Sequence, residues 1–269
     1  MSSKKASFPY LIWMVIFIVV PLAMVVYFAF TTENGDFTMD NILSLGQYSS
    51  VFMRSILLAA VATIICLIIA YPISFTLSRM KLNTQKTMLM LVMLPMWMNF
   101  LLRTYAWMTL LENNGLINKF FSLFGIGPFN MINTSGAVIL GMVYNYLPFM
   151  ILPLYTIMIK IDDDVIEAAQ DLGCNTVNVF AKVLLPLSVP GISTGITMVF
   201  VPSISTFVIG RMLGGGANIL IGDLIEIQFL GNSLNYNLGS AMGIVLMIMV
   251  LLCMSITNTL GNEDMEGVL

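Results

Sequence analysis

Glu167-Ala168-Ala169-Gln170-Asp171-Leu172-Gly173, with Pro186 further on, stands in a short polar segment between two long and nearly unbroken apolar stretches. That contrast decides the fold. A bilayer core takes about 20 apolar residues of helix at roughly 1.5 Å each, and the stretches on either side of this segment meet that length. Reading outward, six stretches meet it, over approximately 8–30, 53–78, 88–111, 135–159, 189–209 and 238–260. The polar segment 160–188 then lies between the fourth and fifth spans.

Composition agrees. Of 269 residues, 58% are apolar and 9% charged, and mean hydropathy is +0.94. Soluble domains carry about 25% charged residues and need them to cover their surface. A soluble globule is excluded, and the expectation is an all-α, polytopic membrane protein with six transmembrane helices. No internal repeat, low-complexity linker or separate soluble domain interrupts 1–269, so it reads as one domain.

Several chemistries drop out. Histidine is absent and net charge is −3, which excludes histidine metal sites, histidine acid–base catalysis and a basic nucleic-acid surface. Cys66, Cys174 and Cys253 are widely spaced and odd in number, without metal or redox spacing. The 23 methionines read as adaptable gap-fillers, because the short repeats with Cys or His that metal transport would want are missing. No catalytic or metal-ligating set is expected.

Basic residues orient the chain. Arg79-Met80-Lys81-Leu82-Asn83-Thr84-Gln85-Lys86 has three positive charges and no acid, so it reads as cytoplasmic. Lys4 and Lys5, two spans earlier, fall on the same side. They precede an apolar run too long for a signal peptide and without a small-x-small site, so the first span reads as retained. Lys160 and Lys182 place 160–188 in the cytoplasm as well. Lys119, Arg211, Arg54 and Arg103 fall toward the outside, and both termini are expected in the cytoplasm.

Pro21, Pro72, Pro95, Pro148, Pro153 and Pro202 punctuate the spans, where interrupted helix needs protein or water to re-satisfy the backbone. Within 160–188, Asp162 or Asp163 can cap a helix, acids in its first turn suit the helix dipole, and Gly173 suits a left-handed terminator. A second helical run, about 176–184, is expected to end before Pro186. Ala168 and Ala169 leave a flat face for another surface, with Glu167 beside it.

The spacing Glu167-Ala168-Ala169, three residues, Gly173, nine residues, Val183-Leu184-Leu185-Pro186 resembles the EAA loop of binding-protein-dependent ABC importer permeases. Val183 replaces the family's preferred Ile without changing the register. Arg103-Thr104-Tyr105-Ala106-Trp107, Glu112-Asn113-Asn114-Gly115-Leu116-Ile117-Asn118, Leu213-Gly214-Gly215-Gly216, Ile221-Gly222-Asp223-Leu224-Ile225 and Gln228-Phe229-Leu230 are similar to the B-type permease subunit of spermidine/putrescine transporters.

The resemblance implies the ABC type I importer permease fold in a bacterial cytoplasmic membrane. Its implied partners are an ABC ATPase dimer, a second homologous permease, an extracytoplasmic polyamine-binding protein and membrane lipids, with no nucleic acid. Glu167, Ala168, Ala169, Gly173 and Pro186 would couple to the ATPase. ATP and Mg would sit on that partner, since no Gly-x-x-x-x-Gly-Lys-Ser/Thr loop occurs here; the run Gly214-Gly215-Gly216 reads instead as a flexible turn. A permeating polycation wants carboxylates and ring faces, the latter worth about 0.5–2 kcal/mol each. The candidates are Glu112, Asp223, Glu226, Tyr105, Tyr144, Tyr146 and Trp97; Trp107 reads as part of the interfacial aromatic belt. Arg103 would repel such a substrate and is expected at a helix contact. A permease for another solute and a stand-alone secondary transporter remain as alternatives. The latter would want acids at mid-span, and none of the fourteen Asp/Glu residues falls there on these boundaries.

Overall fold

In lipid, backbone N–H and C=O groups have no water to bond, so each apolar stretch must close its own hydrogen bonds as helix. A computed structural model describes residues 8–231 and 234–266; Lys4 and Lys5 lie outside the described residues. The helices are α1 (Pro9–Ala29), α2 (Ser49–Ser78), α3 (Leu82–Met93, with a tight turn Leu94–Trp97), α4 (Phe100–Leu111) and α5 (Leu116–Ser122). They continue as α6 (Ser135–Met158), α7 (Asp163–Asp171), α8 (Thr176–Ser205), α9 (Val208–Gly214), α10 (Ile221–Leu230) and α11 (Tyr236–Glu266). Among the described residues, five helices are long and apolar enough to cross a membrane, and a bent pair supplies a sixth if counted as one span.

The bent pair corrects the expected helix over 88–111. Leu82–Trp97 and Phe100–Ser122 meet at 87°. Pro95 cannot donate its nitrogen, and Asn99 then starts a new helix by accepting the Leu101 N–H at 2.8 Å and the Leu102 N–H at 3.4 Å. The expected span 189–209 is also redrawn. Helix α8 begins at Thr176 and runs through Pro186 to Ser205, so the run near 176–184 does not end before the proline. A wide π-turn over Phe180–Leu184 leads into Pro186, which sits in the first turn of the α-helical part, where its missing donor costs least.

Two packed clusters hold the bundle. One joins α2, α6 and α8 through Leu58, Ala62, Cys66, Ala70, Met142, Met150, Leu154 and Val199. Small residues on α2 allow the close approach that membrane helices use in place of a hydrophobic driving force, and Ser74 Oγ donates across it to the Ile151 carbonyl at 3.1 Å. The other joins α1, α2, α8, α10 and α11 through Ala29, Ala59, Ile204, Ile221, Ala241 and Met242. This leaves α7 with the start of α8 at one end of α6, and α9 with α10 beyond the far end of α8.

Candidate functional site

At the junction of α6 and α8 the chain makes an elbow. Asp162 has the extended backbone of a helix cap, but its side chain bonds no backbone N–H. Asp163, in the first turn, is drawn to Arg79 at the end of α2 instead, with Nη1 to Oδ1 at 2.7 Å. Helix α7 ends as the sequence predicts: Gly173 has φ +87°. Its N–H donates to the Gln170 carbonyl at 2.8 Å and the Cys174 N–H to the Ala169 carbonyl at 3.1 Å, the paired bonds of a Schellman corner. Asn175 then caps α8 by accepting the Asn178 N–H at 2.8 Å.

The elbow is two-faced. Ile166, Ala169 and Cys174 pack inward with Ile161, Val179, Leu184, Leu187 and Phe75. Val165, Ala168 and Leu172 share the outer face at helical spacing, and Glu167, Gly173 and Pro186 are exposed beside it. Leu172 is 87% exposed and Val177 72%. The expected flat face of two alanines is thus corrected: Ala169 belongs to the inner contact and Ala168 to the outer. Apolar side chains this exposed on a polar segment mark a surface that another molecule covers.

At the opposite end, α9 and α10 gather the charged groups. Arg211 on α9 donates from Nη1 to Glu226 Oε1 at 3.1 Å, and its Nη2 faces the other oxygen in an ion pair. Asp223, expected as an accessible acid, is buried. Its Oδ2 accepts the Leu220 N–H at 2.9 Å, while Oδ1 has no hydrogen-bond partner among the described residues. Burial pushes its carboxyl up to about 6, against the opposing pull of the Leu220 N–H and the Arg211 charge. Arg211 and Asp223 line a cavity of about 200 Å³ with Gly215, Gly216, Ile219 and Ile227. Gly214-Gly215-Gly216 is no loose turn: Gly214 is buried, and Asn218 Nδ2 bonds the Gly214 and Asn133 carbonyls at 2.9 and 3.1 Å.

The other candidates are scattered. Trp97 and Tyr105 are 71% and 56% exposed, and Glu112 is exposed at the end of α4. Tyr144 is half-buried and stands edge-on to the partly buried Trp107 at 5.4 Å. Tyr146 is buried, its hydroxyl donating to the Pro202 carbonyl at 3.3 Å. Arg103 is buried, its guanidinium over the Phe100 ring of its own helix at 6.0 Å. Its Nε and Nη1 find no acceptor among the described residues. Sequence reasoning used Arg79 and Arg211 only for orientation; Asp163 lies far along the chain from Arg79, and Glu226 lies across a turn from Arg211, so neither pairing left a signal at helical spacing.

A helix, a glycine corner and a second helix between two long apolar helices is the arrangement that the sequence motif led us to expect. The profile of the family described as "Binding-protein-dependent transport system inner membrane component" matches residues 43–262. The chain belongs to this family. It is a multi-pass inner-membrane permease subunit of an ABC importer, a non-catalytic component, and membership sets aside the stand-alone carrier. The chain is 37% identical to the spermidine/putrescine transport system permease protein PotB of Haemophilus influenzae, covering 94% of this chain and 93% of that one. It is 34% identical to PotB of Escherichia coli, covering 88% and 90%. The inner membrane ABC transporter permease protein YdcU of E. coli is 28% identical, covering 85% and 78%. Among solved structures, a chain of a bacterial ABC transporter that imports the acidic polysaccharide alginate superposes with a TM-score of 0.80 at 16% identity, covering 97% of this chain and 94% of that one. A chain of the MetNI methionine ABC transporter gives 0.57 at 17%, covering 80% and 95%. These two likenesses speak for the fold.

Proposed function

We propose that this permease forms half of a translocation pathway for spermidine and putrescine, with a second permease as the other half. In this reading a pair of ATPase subunits, which hold ATP and Mg, drives it, and an external polyamine-binding protein supplies it. Both termini and the elbow face the cytoplasm. The observation that carries the reading is the 37% identity to a spermidine/putrescine permease along 94% of the chain.

The outer face of the elbow, Val165, Ala168, Leu172 and Val177 with Glu167, seats in the ATPase. Closure of the ATPase pair around nucleotide drags the elbow and tilts the helices that carry it, a rigid-body switch between inward-open and outward-open arrangements. Trp97 in the turn after α3, Tyr105 on α4 and Glu112 at the end of α4 offer the exposed ring faces and carboxylate. Glu226 works as a charge that Arg211 tempers, while Asp223 and Tyr146, both buried, act by holding helices in place.

The test is uptake into proteoliposomes holding the whole importer, with labelled spermidine and putrescine. ATP-dependent uptake of either, competed by the other and not by thiamine or an anionic solute, is the expected result. Transport of another solute with none of a polyamine would overturn the substrate assignment. One observation favours keeping that alternative in the experiment: the same fold serves an acidic polysaccharide in the alginate importer, so fold alone leaves substrate charge open.

A further inference from the structure

The elbow is joined covalently to α6 and α8, yet its tightest polar contacts are with a third helix. Tyr71, Phe75 and Arg79 follow one another at four-residue spacing and share one stripe at the end of α2. Each meets a different part of the elbow. The Tyr71 hydroxyl shares a hydrogen bond of 2.9 Å with Ser188 Oγ, and its ring stands edge-on to Phe180 at 4.9 Å. Phe75 packs into the cluster of Ile161, Val179 and Leu184. The Arg79 guanidinium lies over the Phe75 ring at 5.5 Å, donates from Nη1 to the Ile161 carbonyl at 2.8 Å and pairs with Asp163 at 2.7 Å.

This contact is half made. Nη1 serves both acceptors, while Arg79 Nε and Nη2 are buried without a partner among the described residues. An arginine fork meets a carboxylate best through two parallel bonds, and buried donors left idle are costly. Asp163 is 69% exposed in its side chain and free to turn, so a shift of the elbow toward the fork would complete a bidentate pair. The unused Nε and Nη2 donors leave room for a second, bidentate setting beside the one observed.

We propose that Tyr71, Phe75 and Arg79 form the stripe through which elbow movement reaches α2, with Arg79–Asp163 as its two-setting latch and Arg79 as a positioning residue for transport. This rests on the reading of the elbow as the ATPase seat. Helix α2 packs along α6 and α8 in the main core, so holding it to the elbow makes three helices move as one body. Without the latch the elbow can swing about its glycine corner, where a side chain at Gly173 would meet nothing within 4 Å.

The test uses the complete importer in proteoliposomes. Arg79→Asp and Asp163→Arg are each expected to cut ATP-driven uptake roughly tenfold. The ATPase should still co-purify, and ATP hydrolysis should persist without stimulation by loaded binding protein. The double exchange, Arg79→Asp with Asp163→Arg, should recover at least half of uptake. Asp163→Asn, a change at an exposed side chain that leaves the fold intact, should show the same loss of stimulation. Unchanged uptake and stimulation in Asp163→Asn, or no recovery in a double exchange that assembles and melts normally, overturns the latch. Leu172→Asp separates the two readings: if the ATPase still co-purifies with it, the elbow is not the seat, whatever the latch does.

Discussion

Arg211 and Glu226 face each other across the turn between α9 and α10, Nη1 donating to Oε1 at 3.1 Å, with the arginine side chain 53% exposed and the carboxylate 19%. An exposed pair of this kind adds little stability, but it sets the sign of the local field. Glu226→Gln leaves Arg211 uncompensated and should slow initial spermidine uptake several-fold at low ionic strength. Arg211→Gln should do the reverse. Both effects should shrink as salt screens the field, and assembly should be unchanged on gel filtration.

Asp223 makes stability depend on pH. Its folded carboxyl titrates at about 6 against an ordinary 3.8. Below the ordinary value the acid is neutral in both states and its contribution is fully present. As pH rises through about 6 the buried group must ionise, and the contribution is lost. The thermal midpoint of the detergent-solubilised protein is therefore expected to fall as pH goes from about 4 to about 6 and to level off above that. Asp223→Asn, which keeps an acceptor for the Leu220 N–H, should flatten that slope.

Gly173→Ala tests the corner. The left-handed backbone at φ +87° costs an L-residue roughly 1–2 kcal/mol, while the space around it is open. The expected outcome is a folded permease with a small drop in thermal midpoint and reduced uptake per ATP hydrolysed. Gly173→Asn, which tolerates this conformation better, should fall between the two.

Gly222→Ala tests close approach instead. A methyl there would lie 2.4 Å from the Thr206 carbonyl oxygen and 2.6 Å from that of Ser205. Neither backbone atom can yield without moving the end of α8, and overpacking of this kind costs about 1–3 kcal/mol or more. Gly243→Ala, with nothing within 4 Å of the added carbon, should be neutral or slightly stabilising. Parallel thermal melts of the two variants read the difference.

Leu172→Asp addresses the outer face of the elbow. At 87% exposed the side chain contributes almost nothing to the isolated fold, so expression and melting should match the parent. Pull-down of the ATPase should weaken by an order of magnitude or more, the range expected when a buried apolar anchor of an interface is lost.

The corner of the elbow was legible in residue order because what makes it is local. Gly173 ends its helix with its own N–H and that of Cys174 bonded to residues three and five positions back. The family spacing runs along one short segment. The spans were legible as lengths of apolar chain. Their breaks were less so: Pro95 and Asn99 are visible, but many prolines here sit in continuous helix, and only the packed bundle separates the two cases. That Asp223 and Tyr146 are buried was not legible, because burial is not written in residue type.

Apolar length and the Glu167-to-Pro186 register, read from the chain alone, were enough for a polytopic permease with a glycine-cornered elbow, since bilayer thickness and left-handed glycine geometry act on consecutive residues. Three-dimensional packing alone decided that Ala169 turns inward, that Arg79 holds Asp163, that Arg211 tempers Glu226 and that the third span bends by 87°. Those outcomes depend on which distant side chains the folded helices bring within about 3 Å of one another.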